Sequence, residues 1–490
     1  MKKEGKIKGE IRAPRLGESL FSMLFLVISL ALGIIVFKAD PHLPMFVGSF
    51  GAIFIAFRLG YRWEQIEGFM MKGISKVVPS IVILIVIGTL IGVWLDSGVV
   101  PTMIYYGLMI LKPSIFYVAT VLICSITSVA TGSSWGTIGT MGVAFIGIAL
   151  GLSLSLPITA GAVISGAYFG DKMSPLSDTT NLAPAMAGCD VMTNIRFMIL
   201  PTSISYGISL LIFFILGLGH SSNFNDLSSV TTISNALSDM FVITPLHFLP
   251  VIIVLVAVAL KVPSIPGITL GIISGAIIGL ATQPDCSINT LLNCGVNGFS
   301  STTGIETLDK LLSTGGLMSM MYASSMAMIA MIFGGIMEET GQLAAVAHIL
   351  TKNVKRPADL VALTETTSIL SNIIMPDQYV SIIVPGRMYA NAYDEMELHP
   401  KTLSNALSSS GAVTSALVPW NTCGLYVSTI LGISVVSYLP FAFFNYLTPL
   451  VIIILSYMNI TVADKNGTRL YHTKKKNLPY ENTADLSAEL

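Results

Sequence analysis

One polar stretch constrains this chain more than any other, because it interrupts sequence that is otherwise apolar enough to lie in a membrane. Residues Ser165–Pro184 carry Asp171, Lys172 and Asp178 together with hydroxyl groups, glycines and two prolines. Ionisable groups are costly in the bilayer and normally face a water-filled path, and Pro175 breaks a helix because it has no amide donor. Non-helical backbone at membrane depth survives only where it is buried in protein or lines a cavity. The stretch therefore predicts an interrupted helix with oxygen ligands for a small cation, as in ion-coupled carriers.

The composition indicates a polytopic membrane protein. Of the 490 residues, 53% are hydrophobic and 11% are charged, whereas about a quarter of the residues in soluble domains are charged. Apolar runs long enough to span recur along the chain, and they predict an all-α fold with roughly twelve crossings. We expect a hydrophilic tail at residues 1–19, a transmembrane transporter domain at 20–460 and a second tail at 461–490. The net charge of −1 gives no sign of a nucleic-acid partner.

The distribution of basic residues predicts which loops face which side. Lysine and arginine cluster before the first apolar run, after the second and in the C-terminal tail, so the positive-inside rule puts both termini in the cytoplasm. Neither residue type occurs between Arg196 and Lys261, which predicts an external loop at Ser221–Asp239. Cys286 and Cys294 share another loop predicted to be external, where a disulfide could form between them.

The two halves of the chain repeat the same order of features. In each half a Ser-Gly-Ala triplet precedes a proline-containing break, and a second polar break lies upstream, at residues 131–137 and 371–378. Basic residues occupy opposite loops in the two halves, as expected if one half is inverted relative to the other. The pattern predicts inverted-topology repeats with broken helices and re-entrant hairpins, over roughly residues 77–217 and 317–458.

Asp178 is the first candidate for a site that binds either Na⁺ or a proton. Burial disfavours the charged form of a carboxylate, so that protonation can compete with metal binding near neutral pH. Neutral oxygens close to Asp178 would replace the water around Na⁺, and they belong to Ser177, Thr179, Thr180 and Asn181. We predict Na⁺ ligation by Asp178, Ser177 and Thr180. The same hydroxyl groups could instead cap the helix that follows the break.

Three further positions have two interpretations each. Asn421 and Thr422 occupy the place of Asp178 and its neighbour in the second half, as ligands or as helix caps. Asp171 either forms a local ion pair with Lys172 at the rim of the cavity or takes part in transport directly.

The remaining candidates lie at other polar positions of the two halves. Asp377 follows a proline and is either a second acidic site or a helix cap. Glu365 lies in an apolar helix without a basic neighbour in sequence, so it is a candidate proton relay. The glycine-rich break at Gly132, Ser133 and Ser134 predicts a hairpin tip.

These motifs together resemble one known family. The run from Gly166 to Pro184, with Thr131–Met141 before it, is similar to the NhaC family of sodium/proton antiporters. The resemblance covers most of the membrane region and is strongest over positions 125–200. It implies a secondary carrier built from inverted repeats with paired hairpins. Some relatives are similar to malate–lactate antiporters, so the resemblance defines the class better than the substrate.

Two functions remain open at this point. The first is exchange of cytoplasmic Na⁺ for external H⁺, and the alternative is antiport of malate or lactate coupled to both ions. Lys172 is the obvious basic residue at membrane depth, which favours the ion exchanger. A metalloprotease motif or a serine–histidine pair at depth is absent from the sequence, which disfavours an enzyme, and an internal inverted repeat disfavours a channel. We expect no cofactor besides the transported ions, and a homodimer stays among the alternatives for the oligomeric state.

Overall fold

The chain folds into α-helices joined by short breaks and loops, as predicted. A computed structural model describes residues 11–219, 227–260, 262–351, 354–375 and 377–472, and within them extended pairing is limited to isolated β-bridges. The helices up to the end of the first half are α1 (Leu16–Ala31), α2 (His42–Leu59), α3 (Trp63–Asp96), α4 (Val99–Ile110), α5 (Pro113–Thr131), α6 (Ser134–Thr137), α7 (Val143–Gly151), α8 (Leu156–Met173), α9 (Asp178–Ala187) and α10 (Val191–Leu218).

The remaining helices include a connecting group and the second half. They are α11 (Leu227–Met240), α12 (Leu249–Ala259), α13 (Ser264–Thr282), α14 (Ile288–Asn297), α15 (Glu306–Leu312), α16 (Met321–Glu339), α17 (Gln342–Thr351), α18 (Pro357–Ile374), α19 (Val380–Glu395), α20 (Pro400–Leu407), α21 (Thr422–Leu431), α22 (Val435–Tyr438) and α23 (Phe443–Tyr457). A π-helical turn, Ser408–Ala412, follows α20.

Many of these helices are long and apolar enough to cross a membrane. Among the described residues 7 qualify, or 9 if two pairs bent by about a right angle each count as one span. Three shorter apolar helices, α1, α4 and α23, come in addition. The broken helices α8 and α18 are not in either group, because each carries charged and hydroxyl side chains where a simple span would be apolar. A multi-pass membrane protein is therefore confirmed.

The first hairpin consists of α5 and the segment α6–α7. At its open end the amide of Ser155, just after α7, donates to the hydroxyl of Tyr117 near the start of α5, at 3.2 Å. At the tip Gly132 ends α5 in the left-handed region, with φ of 65°. Ser133 then caps α6 by accepting a hydrogen bond from the amide of Gly136 at 3.0 Å. The polar break of the first half thus reverses the chain direction.

The second hairpin consists of α18 and α19. Two hydroxyl–hydroxyl contacts hold its arms together, Thr364 to Tyr393 at 3.1 Å and Thr367 to Tyr389 at 2.7 Å. Its tip lies between the end of α18 and Val380, at the second polar break. Each half therefore contains a helical hairpin with a polar tip.

The two hairpins enter from opposite ends of the molecule. Helix α23, with 15 residues, is about 22 Å long and connects these ends. It begins just after Phe441, whose backbone packs against Gly161 near the start of α8 and hence near the open end of the first hairpin. It ends at Tyr457, whose hydroxyl donates to Asp359 at the open end of the second hairpin, at 2.9 Å. This arrangement confirms the predicted inverted topology.

The halves also exchange one short helix each. Helix α9 of the first half packs against α19 and α20, and Met186 of α9 lies against Gly386 of α19. Helix α21 of the second half packs against α6 and α7, where Tyr426 stacks on Trp135 with ring centroids 4.9 Å apart. Neither half can therefore complete its core alone.

The residues that follow α23 fold back over the loop between α19 and α20. The carbonyl of Ala463 accepts a hydrogen bond from the amide of His399 at 3.0 Å. Arg469 donates to the carbonyl of Phe197 in the first turns of α10 at 3.0 Å, and Lys401 donates to the carbonyl of Gly467 at 2.5 Å. This segment joins both halves at the end of the molecule where the second hairpin opens.

The disulfide that the sequence left open between Cys286 and Cys294 does not form. Cys286 and Cys294 are free thiols. The Sγ atom of Cys286 instead lies 3.6 Å from a carboxylate oxygen of Asp96 at the end of α3. A polar partner on α3 thus takes the place of the suggested disulfide.

Candidate functional site

A cavity that is partly open to solvent lies where the tips of the two hairpins meet the break between α8 and α9, and its empty volume of about 370 Å³ includes the open part. The first tip, the α8–α9 break, the second tip and α3 all contribute to its wall. The lining residues are Gly132, Ser133, Ser134, Trp135, Asp171, Asp178, Thr179, Gln378, Tyr379 and Ile83. Opposed hairpins thus end on one small polar space.

Asp171 connects two of these elements at the cavity. Its side chain is buried, with 6% exposed. One carboxylate oxygen accepts a hydrogen bond from the amide of Ser134 at 3.3 Å, and the other accepts from the hydroxyl of Thr179 at 2.9 Å. Because a carboxylate offers about four acceptor directions, both oxygens retain lone pairs for a cation.

Asp178 brings a second carboxylate to the same cavity. It is the first residue of α9 and is exposed to the open part of the cavity. A negative charge is stabilised at a helix N-terminus by the aligned peptide dipoles. The site therefore combines a buried carboxylate, Asp171, with a solvent-facing one.

The local ion pair suggested for Asp171 and Lys172 is wrong. Lys172 turns away from the cavity and donates to the hydroxyls of Ser408 at 3.1 Å and Ser409 at 2.7 Å. Consecutive residues of an α-helix point about 100° apart, so the two side chains leave α8 on different faces. Lys172 is thus not a partner for Asp178 either.

The neutral oxygens near Asp178 divide into ligand candidates and structural groups. The hydroxyl of Thr180 donates to the carbonyls of Asp171 and Lys172, at 2.9 and 3.1 Å, and so closes the end of α8. Ser177 caps α9, and the exposed Asn181 donates its amide to the carbonyl of Ser177 at 2.7 Å. Of the predicted neutral ligands, Thr179 is the one that lines the cavity.

The corresponding break of the second half contains a buried amide network. Asn421 caps α21 by accepting from the amide of Cys423 at 3.0 Å. Its own amide group donates to Asn372 of α18, to the carbonyl at 3.2 Å and to the side-chain oxygen at 3.1 Å. The hydroxyl of Thr422 lies 3.4 Å from the side-chain oxygen of Asn421. Neither Asn421 nor Thr422 lines the cavity.

The two remaining acidic candidates occupy different surroundings. Asp377 caps α19, because one of its oxygens accepts from the amides of Tyr379 and Val380, at 2.9 and 3.2 Å. Its other oxygen is buried and has no hydrogen-bond partner among the residues that the structure describes. Glu365 lies within α18, is fully buried and does not line the cavity.

Sequence reasoning missed Gln378 and Tyr379 as wall residues of the cavity. They follow Asp377 at the second tip, where the order of features predicts an equivalent of the first tip at Ser133 and Ser134. A comparison of the two tips residue by residue, and not of their acidic residues alone, identifies Gln378 and Tyr379 as wall residues.

Comparison with known proteins gives a consistent result. Residues 16–168 and 166–460 match the sequence model of the Na⁺/H⁺ antiporter family. The chain is 37% identical to the Na⁺/H⁺ antiporter NhaC of Alkalihalophilus pseudofirmus, over 91% of this chain and 97% of that one. It is 36% identical to a malate-2H⁺/Na⁺-lactate antiporter of Bacillus subtilis, over 96% and 99%. It is 31% identical to the arginine/ornithine antiporter ArcD of Halobacterium salinarum, over 97% of both chains.

Proposed function

The chain belongs to the Na⁺/H⁺ antiporter family, and from this premise we propose that it exchanges cytoplasmic Na⁺ for external H⁺ through the cavity at Asp171 and Asp178. The observation that carries the proposal is the buried carboxylate of Asp171, held at the junction of two opposed hairpins beside a second carboxylate. Such a site can be neutralised either by a metal ion or by protons. Both termini lie in the cytoplasm in this proposal.

Competition for the same oxygens couples the two ions. In the Na⁺-bound state the carboxylates of Asp171 and Asp178 and the hydroxyl of Thr179 replace part of the water around the ion. In the proton-bound state Asp171 is a neutral acid and no longer attracts the metal. Because desolvation disfavours an unpaired carboxylate, the empty charged site is the least stable of the three states. The carrier therefore rarely returns across the membrane with an empty site, so that Na⁺ and H⁺ are exchanged and neither ion is transported alone.

The opposed hairpins give a physical basis for alternating access. The first tip closes the cavity from the end where α8 begins, and the second closes it from the end where α18 begins. Movement of one set of helices against the other would open the cavity to one side at a time, as in other carriers with inverted repeats. Cytoplasmic Na⁺ then displaces protons, leaves on the outside, and external protons reload the site.

The surroundings of the cavity favour ions over organic acids. A malate or lactate carboxylate requires a basic side chain or free amide groups at a helix N-terminus. Lys172 points to Ser408 and Ser409 instead of into the cavity. The N-termini of α9 and α19 are already capped by Ser177 and Asp377. We therefore propose that the ions alone are exchanged.

Transport by the full-length protein in proteoliposomes tests this function. A Na⁺ gradient is expected to drive proton movement, measured with a trapped pH indicator. Asp171→Asn is expected to abolish it, since an amide holds neither ion as a counter-charge. Asp190→Asn is the matched control, because this exposed carboxylate only caps α10 and asparagine is an equally good cap.

Two results would contradict the proposal. One is normal exchange by a well-folded Asp171→Asn protein. The other is uptake of radiolabelled malate or lactate that needs both this protein and a Na⁺ gradient, which would establish the organic-acid antiporter instead.

A further inference from the structure

The second hairpin tip carries more hydrogen-bond acceptors than its own surroundings satisfy. Gln378 and Asp377 are buried there, with 4% and 1% of their surfaces exposed. The side-chain oxygen of Gln378 and one carboxylate oxygen of Asp377 have no hydrogen-bond partner among the residues that the structure describes. Buried polar groups without partners are rare and call for an explanation. Two unsatisfied acceptors at adjacent positions favour a ligand that is either a cation or a hydrogen-bond donor.

Of these two residues, Gln378 lines the cavity. It shares that wall with Asp171, Asp178 and Thr179, which all belong to the first half of the chain, whereas Gln378 enters from the hairpin of the second half. Because two carboxylates lie in the same wall, a cation is the ligand that satisfies all of these groups. An amide carbonyl is an oxygen ligand that hard cations accept. The cavity therefore offers a cation one unused neutral oxygen from the second half.

Neighbouring hydrogen bonds hold the second tip in place without using this oxygen. The indole of Trp420 donates to the carbonyl of Ile373 near the end of α18, at 2.7 Å. On the other side of the tip, Asp377 caps α19 by accepting from the two backbone amides at its start. Gln378 lies between these two anchored segments. Its position is therefore determined by groups that do not compete for its side-chain oxygen.

The first tip contributes the opposite kind of group to the cavity. The amide of Ser134 donates to Asp171 at 3.3 Å, so this bond stabilises the carboxylate itself. The cavity thus receives a donor for the acid from one hairpin and an acceptor for a cation from the other. The two tips have different roles although the repeat relates them.

We propose that the side-chain oxygen of Gln378 is a ligand of the Na⁺ that binds at Asp171 and Asp178, so that the ion bridges the two halves. The inference rests on the proposed function and deepens it. A protonated carboxylic acid has a single O–H group to donate, whereas a metal ion is shared among several oxygens. The bridge between the second tip and the α8–α9 break therefore belongs to the Na⁺-bound state.

The bridge gives Na⁺ a means of closing the cavity. Asp178 is exposed to the open part of the cavity, and the second tip forms the wall on the side where α18 begins. An ion held by both the α8–α9 break and the second tip resists the separation of these two elements. Na⁺ that enters from that side thus stabilises the closed position of the second tip behind it.

Transport by the full-length protein in proteoliposomes tests Gln378 as a ligand. Gln378→Met removes the oxygen at similar length and is expected to raise the Na⁺ concentration for half-maximal exchange about tenfold, because interactions with an ion are stronger than those between neutral groups. Gln378→Glu keeps an oxygen but loses the amide N–H groups, and it should stay near wild type. Gln65→Met is the matched control and should behave as wild type, because Gln65 is exposed at the start of α3.

The outcomes separate this inference from the proposed function. Absence of Na⁺-driven proton movement in the wild type would mean that the proposed function fails. A wild-type Na⁺ requirement in a folded Gln378→Met protein would overturn the ligand role while leaving the exchanger intact. A loss in Gln378→Glu as large as in Gln378→Met would do the same. If Gln378→Met aggregates on size exclusion, Gln378→Ala decides in its place, since it also lacks the oxygen.

Labelling of a cysteine in the cavity wall gives an independent readout of the bridge. Ile83 of α3 lines the cavity, and Ile83→Cys in a cysteine-free background places a thiol there. NaCl, compared with choline chloride, is expected to slow the reaction of this thiol with a small maleimide in the purified protein. Addition of Gln378→Met should remove most of this protection at a Na⁺ concentration that saturates exchange by both proteins. Equal protection in both proteins, or none in either, would contradict the bridge.

Discussion

At the scale of single residues, the site depends on which face of α8 each charged side chain leaves from. Asp171 and Lys172 are neighbours in sequence, yet one lines the cavity and the other contacts the turn after α20. The sequence alone suggested a local pair, because it shows adjacency but not which neighbouring helix covers each face. The sequence makes Asp178 the first candidate, and the structure places both acids at the cavity, Asp171 as the buried and hydrogen-bonded one and Asp178 as the exposed one.

Thr179 and Thr180 provide a direct contrast between ligand and structural hydroxyls. Thr179→Val is expected to raise the Na⁺ concentration for half-maximal exchange about tenfold, because it removes the hydroxyl that lines the cavity and a hydrogen bond to a charged group is worth about 1.5–3 kcal/mol. Thr179→Ser keeps the hydroxyl and should behave as wild type. Initial rates of Na⁺-driven proton movement over a range of Na⁺ concentrations measure both.

Thr180→Val is the structural counterpart. The substitution should lower the melting temperature and change the Na⁺ affinity little. The hydroxyl of Thr180 holds only the carbonyls at the end of α8. Unchanged Na⁺ affinity in Thr179→Val would exclude Thr179 as a ligand.

At the scale of elements, the breaks were predictable and their partners were not. Proline and glycine interrupt helices for local reasons, so the order of hairpin, loop and broken helix could be read from the sequence of each half. The exchange of α9 and α21 between the halves depends on contacts between distant residues. Asn421 illustrates this, because its cap at α21 was foreseeable and its bonds to Asn372 of α18 were not.

The first tip leads to a prediction about backbone geometry. Gly132 has a φ of 65°, and a Cβ atom there would lie 2.7 Å from the carbonyl carbon of Leu176 in the α8–α9 break. Gly132→Ala should reduce the exchange rate at least about tenfold, because the left-handed conformation costs alanine about 1–2 kcal/mol and the clash separates the two breaks. The rate in proteoliposomes and the melting temperature in detergent are the measurements.

Gly136→Ala is the control for that substitution. Only the side chain of Ser133 comes close to a Cβ at this position, at 3.4 Å. We expect wild-type exchange. A Gly132→Ala protein that transports at the same rate would show that the contact between the breaks is not needed.

At the scale of the whole molecule, the contacts assign loops to two ends. The loop at Ser153 and the turn at Ser434 belong to the end where α8 begins and α22 packs against it. Arg196 and Asp394 belong to the other end, where the segment after α23 contacts Phe197 and the loop that follows α19. The positive-inside rule predicts that this second end is the cytoplasmic one, as we propose.

Single-cysteine labelling in a cysteine-free background tests the assignment. An impermeant thiol reagent applied to intact cells should label cysteines placed at positions 153 and 434, and it should not label those at 196 and 394. Permeabilised cells provide the control, since all four positions should then react. Labelling of positions 153 and 434 from opposite sides of the membrane would contradict the inverted arrangement. Labelling of position 394 alone in intact cells would show that the protein has the opposite orientation in the membrane.

The interlocking of the halves has a consequence for biosynthesis. The serine acceptors of Lys172 lie 236 and 237 residues further along the chain, and a ribosome needs on the order of tens of seconds to add that length. During this interval the first half holds an ammonium whose acceptors have not been made, and α9 lacks the surfaces of α19 and α20 against which it packs. We therefore expect the nascent first half to depend on the insertion machinery of the membrane until the turn after α20 emerges.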